Sequence, residues 1–191
     1  NGSGASVTMP KGTVFTTTVE NVSYQFVTNA ATSITPSEGV YRFSNVDIYE
    51  GTLNTFRYTV DSSDVDQKFL IPTPNADTST LKVTIQNSAT DTTTSTYTLS
   101  TGLREITSTS KVYFLQETDD NKFEVYFGDG VLGNKLSDGN IVILEYVVTN
   151  KVEANGASSF ALSGSIGGFT DVSITVNSNA QGGSEAETKE S

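Results

Sequence analysis

The chain has 191 residues, no cysteine, histidine or tryptophan, and a formal charge of −11 at pH 7. Those absences exclude disulfides, thiolate or imidazole metal sites, and any catalytic arrangement that pairs a nucleophile with histidine. The acidity argues against a nucleic-acid partner, whose phosphates call for clustered Lys and Arg. No run of about 18 apolar residues and no basic-plus-apolar leader stands in the sequence, which predicts neither a membrane span nor a signal peptide.

A compact chain of this length buries about 70% of its extended surface, enough for a real core. Val, Ile, Thr, Tyr and Phe fill the apolar and half-polar positions, and Gly and Ser punctuate them. That mixture predicts an all-β fold: an antiparallel β-sandwich-like domain with a long β-ribbon, Thr/Gly-rich loops and little helix. The absence of cysteine fits a reducing compartment.

Residues 1–6 are small and polar and start without Met, which reads as the interior of a longer polypeptide. Two short strands are expected at 7–9 and 13–19 around the Pro10-Lys11-Gly12 turn. A second pair is expected at 22–28 and 40–48, with a Thr/Ser/Pro loop over 29–39. Strand alternation continues through 51–60, and the acidic run 61–66 reads as a turn or one helical turn. Residues 69–71 run into Pro72 and Pro74, which end any ladder. Residues 75–77 read as a turn or helix cap, and 81–86 as an alternating strand. The polar stretch 87–95 has no apolar anchor and is expected to be an exposed, mobile loop. Short strands follow at 97–99 and 112–116.

The best-specified stretch is 122–148, KFEVYFGDGVLGNKLSDGNIVILEYVV. Phe123, Val125 and Phe127 alternate with Lys122, Glu124 and Tyr126, the period of a half-buried strand. Gly128-Asp129-Gly130 supplies a tight turn with positive φ at one or both glycines. Residues 141–148 are apolar on both faces except at Glu145, as in a strand near the middle of a sheet. The two strands and their turn-rich connection predict a β-ribbon. Further on, 160–176 gives weak strands broken by Gly164, Gly167 and Gly168, with the clearest alternation at Val172, Ile174 and Val176. Finally, Ser184-Glu185-Ala186-Glu187 fits a capping box, so a helix or linker is expected from 184 to 191. The domain expectation is one β-rich domain over 1–183, or two subdomains split near 61–75, leading at 184–191 into a further region.

The segment FGDGVLGNKLSDGNIVILEYVVTNKVEANG resembles the FGDG–G–L–DG–I–EY signature of the baseplate-J-like family. Within that family it is most similar to the large baseplate wedge subunits of T4-like contractile-tailed phages. MPKGTVFTT (9–17), DIYEGT (47–52), FLIPTPNADTSTLKV (69–83) and AQGGSEAET (180–188) look like further blocks in the family's order. The resemblance implies a non-enzymatic virion part located in the tail baseplate and assembled in the host cytoplasm. The partners it implies are other copies of itself and other wedge and hub proteins. It offers no catalytic motif and no cofactor.

Few residues invite chemistry. Asp129 and Glu145 are the carboxylate pair to consider first, yet Asp129 holds a turn position where Asp bonds its own backbone. Glu145 is expected either to pair with a base such as Arg104 or to face a partner. Asp61 to Asp66 and Asp119-Asp120-Asn121 offer oxygen ligands, but neither matches a calcium loop. GSIGGF at 164–169 lacks the continuation of a phosphate cradle. The expectation is therefore no catalytic, cofactor or metal residues. The candidate protein-interaction residues are Asp129, Asn134, Lys135 and Asp138, in the 128–140 connection. The 29–39 and 87–95 loops are further contact candidates. A carbohydrate-binding or adhesin-like β module is the alternative that composition alone leaves open.

Overall fold

The computed structural model describes residues 4–102, 105–118 and 122–183. Among these are thirteen strands and one 3₁₀ turn, Lys151–Ala154, which makes the chain all-β as its composition predicts. The chain forms two compact units, Asn1–Leu53 with Val147–Ser191, and Asn54–Tyr146.

In the first unit, β1 (Val7–Met9) pairs antiparallel with β4 (Thr32–Ile34). The strands β2 (Val14–Val19) and β3 (Val22–Val27) form a hairpin closed by Glu20 and Asn21, both at positive φ. That is the primed two-residue turn whose twist matches the strands. β5 (Tyr49–Glu50) adds beside β3, and β13 (Ala161–Ser163) beside β2, giving the order β13-β2-β3-β5. Met9, Phe15, Phe26, Ala154, Ala157 and Ile166 make the core, with Phe26 and Phe160 edge to face at 4.9 Å. Glu50 closes this unit like a clamp. Its Oε2 accepts from the Thr149 hydroxyl and the Asn150 amide N–H, and its Oε1 from the Asn150 side chain, each at 2.7 Å.

Several expectations change here. Residues 40–48 form no strand beyond an isolated bridge between Ser37 and Val40. Phe43, Val46 and Ile48 instead pack individually onto the core, so burial is achieved without a ladder. The loop expected over 29–39 contains β4, because Val7 and Met9 recruit Ile34 and Thr32 as partners. Residues 172–176 have strand alternation but no strand, and Val172 and Ile174 are exposed. The capping box at 184–187 and the helix expected after it lie outside the described residues.

The second unit is a seven-stranded sheet. Its strands are β6 (Thr52–Thr59), β7 (Phe69–Ile71), β8 (Ala76–Gln86), β9 (Thr94–Leu99), β10 (Val112–Glu117), β11 (Phe123–Phe127) and β12 (Ile141–Val148), in the order β6-β12-β8-β9-β10-β11-β7. Pairing is antiparallel for β8–β9, β10–β11 and β11–β7, and parallel for β9–β10. The two edge strands approach each other: the Tyr58 hydroxyl of β6 donates to the Leu70 carbonyl of β7 at 2.7 Å. A row of rings, Phe56–Tyr58–Phe69–Phe127–Tyr97, joins them at centroid spacings of 5.0–5.7 Å. The sheet is thus nearly closed on itself rather than one face of a flat sandwich.

The expected ribbon of β11 against β12 is not formed. β11 is flanked by β10, its local hairpin partner, and by β7, so both its edges are filled. The 128–140 connection instead carries the chain across to β12, which lies between β6 and β8. That position explains why β12 is apolar on both faces. β8 begins at Ala76, where a turn or cap is expected; Asp77 bonds its own local backbone and does not interrupt the ladder. Residues 87–93 are a built loop rather than slack. The Asn87 and Thr93 backbones bond across its neck, and Asp91 accepts from the Asn87 side chain and the Thr93 N–H.

Candidate functional site

The 128–140 connection takes its shape from its own residues first. Asp129 Oδ1 accepts from the amide N–H groups of Leu132 at 2.9 Å and Val131 at 2.8 Å. Those two bonds, with a smaller contribution from the nearby Lys135 charge, hold the Asp129 carboxyl below its ordinary 3.8. Gly130 N–H reaches the Gly133 carbonyl at 3.1 Å and closes the turn. Gly130 is at φ +91, as the turn requires, whereas Gly128 lies outside the positive-φ region. Gly128 is needed for a different reason, since a Cβ there would overlap the backbone of Gly133. Gly128→Ala is therefore expected to lower the urea midpoint more than Gly130→Ala, whose strain alone costs about 1 kcal/mol. Equal midpoints for both variants would contradict this packing.

Neighbouring loops fix the connection in place. Gly133 N–H donates to Thr107 O at 3.0 Å and Asn134 N–H to Ser110 O at 2.8 Å. Asn134 Nδ2 donates to the hydroxyl of Tyr97, a buried member of the ring row, at 2.6 Å. At the far end, Asp138 Oδ1 accepts from Ser62 N–H at 2.8 Å, and Asn140 Nδ2 donates to Asn87 O at 2.8 Å. The four candidates are therefore not equivalent. Asn134 and Asp138 hold the loop to its surroundings, whereas Asp129 shapes its tip and Lys135 is exposed. The tip itself presents Val131 at 74% and Leu132 at 42% exposure, two apolar side chains that sequence reading passed over. Their only signal in the sequence is their place between turn glycines.

The depressed Asp129 carboxyl has a testable sign. A lowered folded-state pKa gives stability that is fully present above 3.8 and is lost as pH falls through the folded value. The stability difference between the parent and Asp129→Asn is thus expected to shrink between about pH 5 and about pH 2. A constant difference across that range would show that the carboxylate charge contributes nothing.

Beside this loop lies an open depression of about 590 Å³, bordered by Leu99, Ile106, Ser110 and Val112, with Glu105 the ionisable side chain among its described lining. Among the described residues, no group of three or more Asp, Glu, His or Cys is placed to hold a metal ion. The Asp61 and Asp64 carboxylates accept hydrogen bonds from Ser63 and Asp66 within their own turn. The Asp119–Asn121 run and Arg104, the proposed mate of Glu145, lie outside the described residues.

One charged residue lies deeper than the alternation predicts. Glu124 is buried at 6% exposure, with Lys68 Nζ 3.7 Å from its Oε2. Leu70 lies opposite Glu124 across the β7–β11 pair, so Lys68, two residues earlier, falls on the same face. Such a pairing depends on strand neighbours far apart in the sequence, which local periodicity does not reveal. The pair sits in the sheet wall, and the Tyr126 phenol also interacts with Glu124 through a side-chain hydrogen bond.

In sequence the chain is similar to the baseplate wedge protein gp6 of Enterobacteria phage T4, 31% identical over 87 residues. That alignment takes in 38% of this chain and 13% of the phage protein, so the chain matches a small part of its relative. A model of the bacteriophage baseplate wedge protein gp6 third domain matches residues 55–157, more than half of the 191 residues, and the chain belongs to that family.

Proposed function

We propose that this chain is a structural part of a contractile-tail baseplate wedge, which works by docking to protein neighbours and turns over no substrate. Membership in the gp6 third-domain family supports the reading. The observation that carries it is the 128–134 tip: Val131 and Leu132 are held out to solvent on a turn fixed by Asp129 Oδ1, Thr107 O and Ser110 O. A shape fixed before contact loses less entropy on docking. Asp129 and Lys135 flank the apolar tip with opposite charges, which suits them to set orientation rather than raw affinity. Asn134 and Asp138 support the same surface from beneath.

We further propose that the chain is one of the broader baseplate-J-like group, a reading supported by the resemblance of the stretch from Phe127 to Gly156 to that group's signature. Its partners are then other copies of the subunit and other wedge and hub proteins, in a virion assembled in the host cytoplasm. Residues 1–183 act as one β-rich region of two parts. The carbohydrate-binding alternative rested on composition alone and gives way to the family membership.

The test is a pull-down of the whole subunit against the other baseplate proteins, with Asp129→Lys and Lys135→Glu introduced together and, separately, Val131→Asp. Loss of assembly in both is the expected result, with thermal melting retained in Val131→Asp, whose side chain is 74% exposed. Unchanged assembly and infectivity in all variants would remove the tip from the interface. Glycan hydrolysis by the purified chain, lost on changing Asp129 or Glu145, would overturn the structural role.

A further inference from the structure

Of the two Asn-Gly pairs in the sequence, Asn155-Gly156 lies among the described residues. An asparagine before glycine is prone to self-modification. The next backbone nitrogen can reach the side-chain amide carbon, and no Cβ stands in its way. Asn155 directly follows the 3₁₀ turn Lys151–Ala154 and is exposed. It sits between Ala154 and Ala157, core residues each 2% exposed.

Both groups that would react are engaged, and by the same segment. Gly156 N–H donates to Ala180 O, and Ala180 N–H to Ala157 O, each at 2.8 Å. The Asn155 side chain continues this pairing. Its Nδ2 donates to Gly183 O at 3.0 Å, and its Oδ1 accepts from Gly183 N–H at 3.2 Å. Residues 180–183 thus form a strap across 155–157. The strap's own hold is short: Ala180 packs against the core, whereas residues 181 and 182 are exposed. A short segment tied at its margin opens locally more often than the sheets beside it.

We infer that Asn155 is a deamidation site gated by this strap. While the strap is closed, the Gly156 nitrogen is committed to Ala180 and the Asn155 amide to Gly183, so neither can turn to the other. When it opens, the Gly156 nitrogen gives its proton to solvent and attacks Asn155 Cγ. The N–Cγ bond forms, the Cγ–Nδ2 bond breaks, and Nδ2 takes up a proton and leaves as ammonia. Water then opens the five-membered imide at either carbonyl, giving aspartate or its isoaspartyl isomer at position 155. Solvent water is the one co-reactant. Either product lacks the Nδ2 donor and sets a carboxylate against Gly183 O. The isoaspartyl form also adds a backbone carbon between Ala154 and Ala157. The strap cannot close again as before, so its release runs one way. This modification goes beyond the docking role and does not depend on it.

The experiment incubates the purified chain beside a synthetic peptide of residues 150–160 at one mildly alkaline pH, with peptide mapping by mass spectrometry. Deamidation at Asn155 of the chain is expected, at a rate at least about tenfold below that of the peptide. Hydrogen exchange at the Gly156 amide needs the same opening, so its protection should match that slowing within about threefold. Ala180→Pro removes the N–H that bonds Ala157 O and should bring the Asn155 rate up to that of the peptide. Asn155→Asp should raise exchange at the Gly156 and Ala180 amides by about tenfold, with thermal melting close to the parent's because the position is exposed. A chain that deamidates as fast as the peptide would overturn the gate. No deamidation at Asn155 over a time in which Gly156 exchange predicts it would overturn the site. An unchanged rate in folded Ala180→Pro would contradict the strap's role. So would unchanged exchange in Asn155→Asp, which decides the matter even if Ala180→Pro does not fold.

Discussion

Leu144→Ala is expected to lower the unfolding free energy by about 2–5 kcal/mol, through lost transfer energy and the cavity left behind. Leu144 is fully buried on β12, beside Val142, Tyr146 and Val147, none more than 1% exposed, and Ile143 at 7% on the opposite face from Leu144. Ile141, Glu145 and Val148 are half-buried, and the other five residues of the strand are buried. A strand covered on both faces and flanked by β6 and β8 has no surface toward which its neighbours can relax, so the cavity should persist. Urea denaturation reads the effect as a lower midpoint at unchanged slope. Coincident midpoints for variant and parent would place β12 at the periphery and contradict the sheet order.

Gly51→Ala is expected to be comparably damaging, by a different route. Gly51 sits between β5 and β6 at φ +120, a conformation that costs an L side chain about 1–3 kcal/mol. A Cβ there would also overlap the carbonyl oxygen of Val148 and come within 3.0 Å of Val147 Cγ1. The obstructing atom is backbone, so a rotamer change cannot relieve it. The Gly51 N–H meanwhile donates to Gln25 O at 2.8 Å, and any shift of the chain breaks that bond. Overpacking of this kind adds about 1–3 kcal/mol. A large fall in melting temperature with altered amide chemical shifts at Glu50, Thr149 and Asn150 is the expected result. A variant that melts with the parent would show that the chain passes Val148 with room to spare.

The sequence was most informative where structure is local. The alternation of β11, the two-sided apolar character of β12 and the stop imposed by Pro72 all follow from neighbouring residues, and each appears where it was expected. Partnership was not legible. β11 and β12 look like two arms of one ribbon because they are strong and adjacent, but β10 and β7 take both edges of β11. Residues 40–48 alternate because Phe43, Val46 and Ile48 need burial, and burial alone does not make a ladder. The 87–93 loop lacks an apolar anchor, yet side-chain bonds from Asn87, Ser88 and Asp91 order it, a route that hydropathy does not register.

The same division runs through the candidate site. Asp129 as a turn-former was readable from its place between two glycines, and its carboxylate does accept the next amides. What Asn134 and Asp138 do depends on Tyr97 and Ser62, which are 37 and 76 positions away. The exposure of Val131 and Leu132 follows from those distant ties, which hold the loop's polar backbone inward.

The most direct test is an electron-microscopy reconstruction of the parent particle at side-chain resolution. The account expects both β units in the wedge region of the baseplate, with Val131 and Leu132 buried against a neighbouring protein and Asp129 and Lys135 at the rim of that contact. The same units found outside the baseplate, or in the baseplate with the 128–134 tip in open solvent, would contradict it.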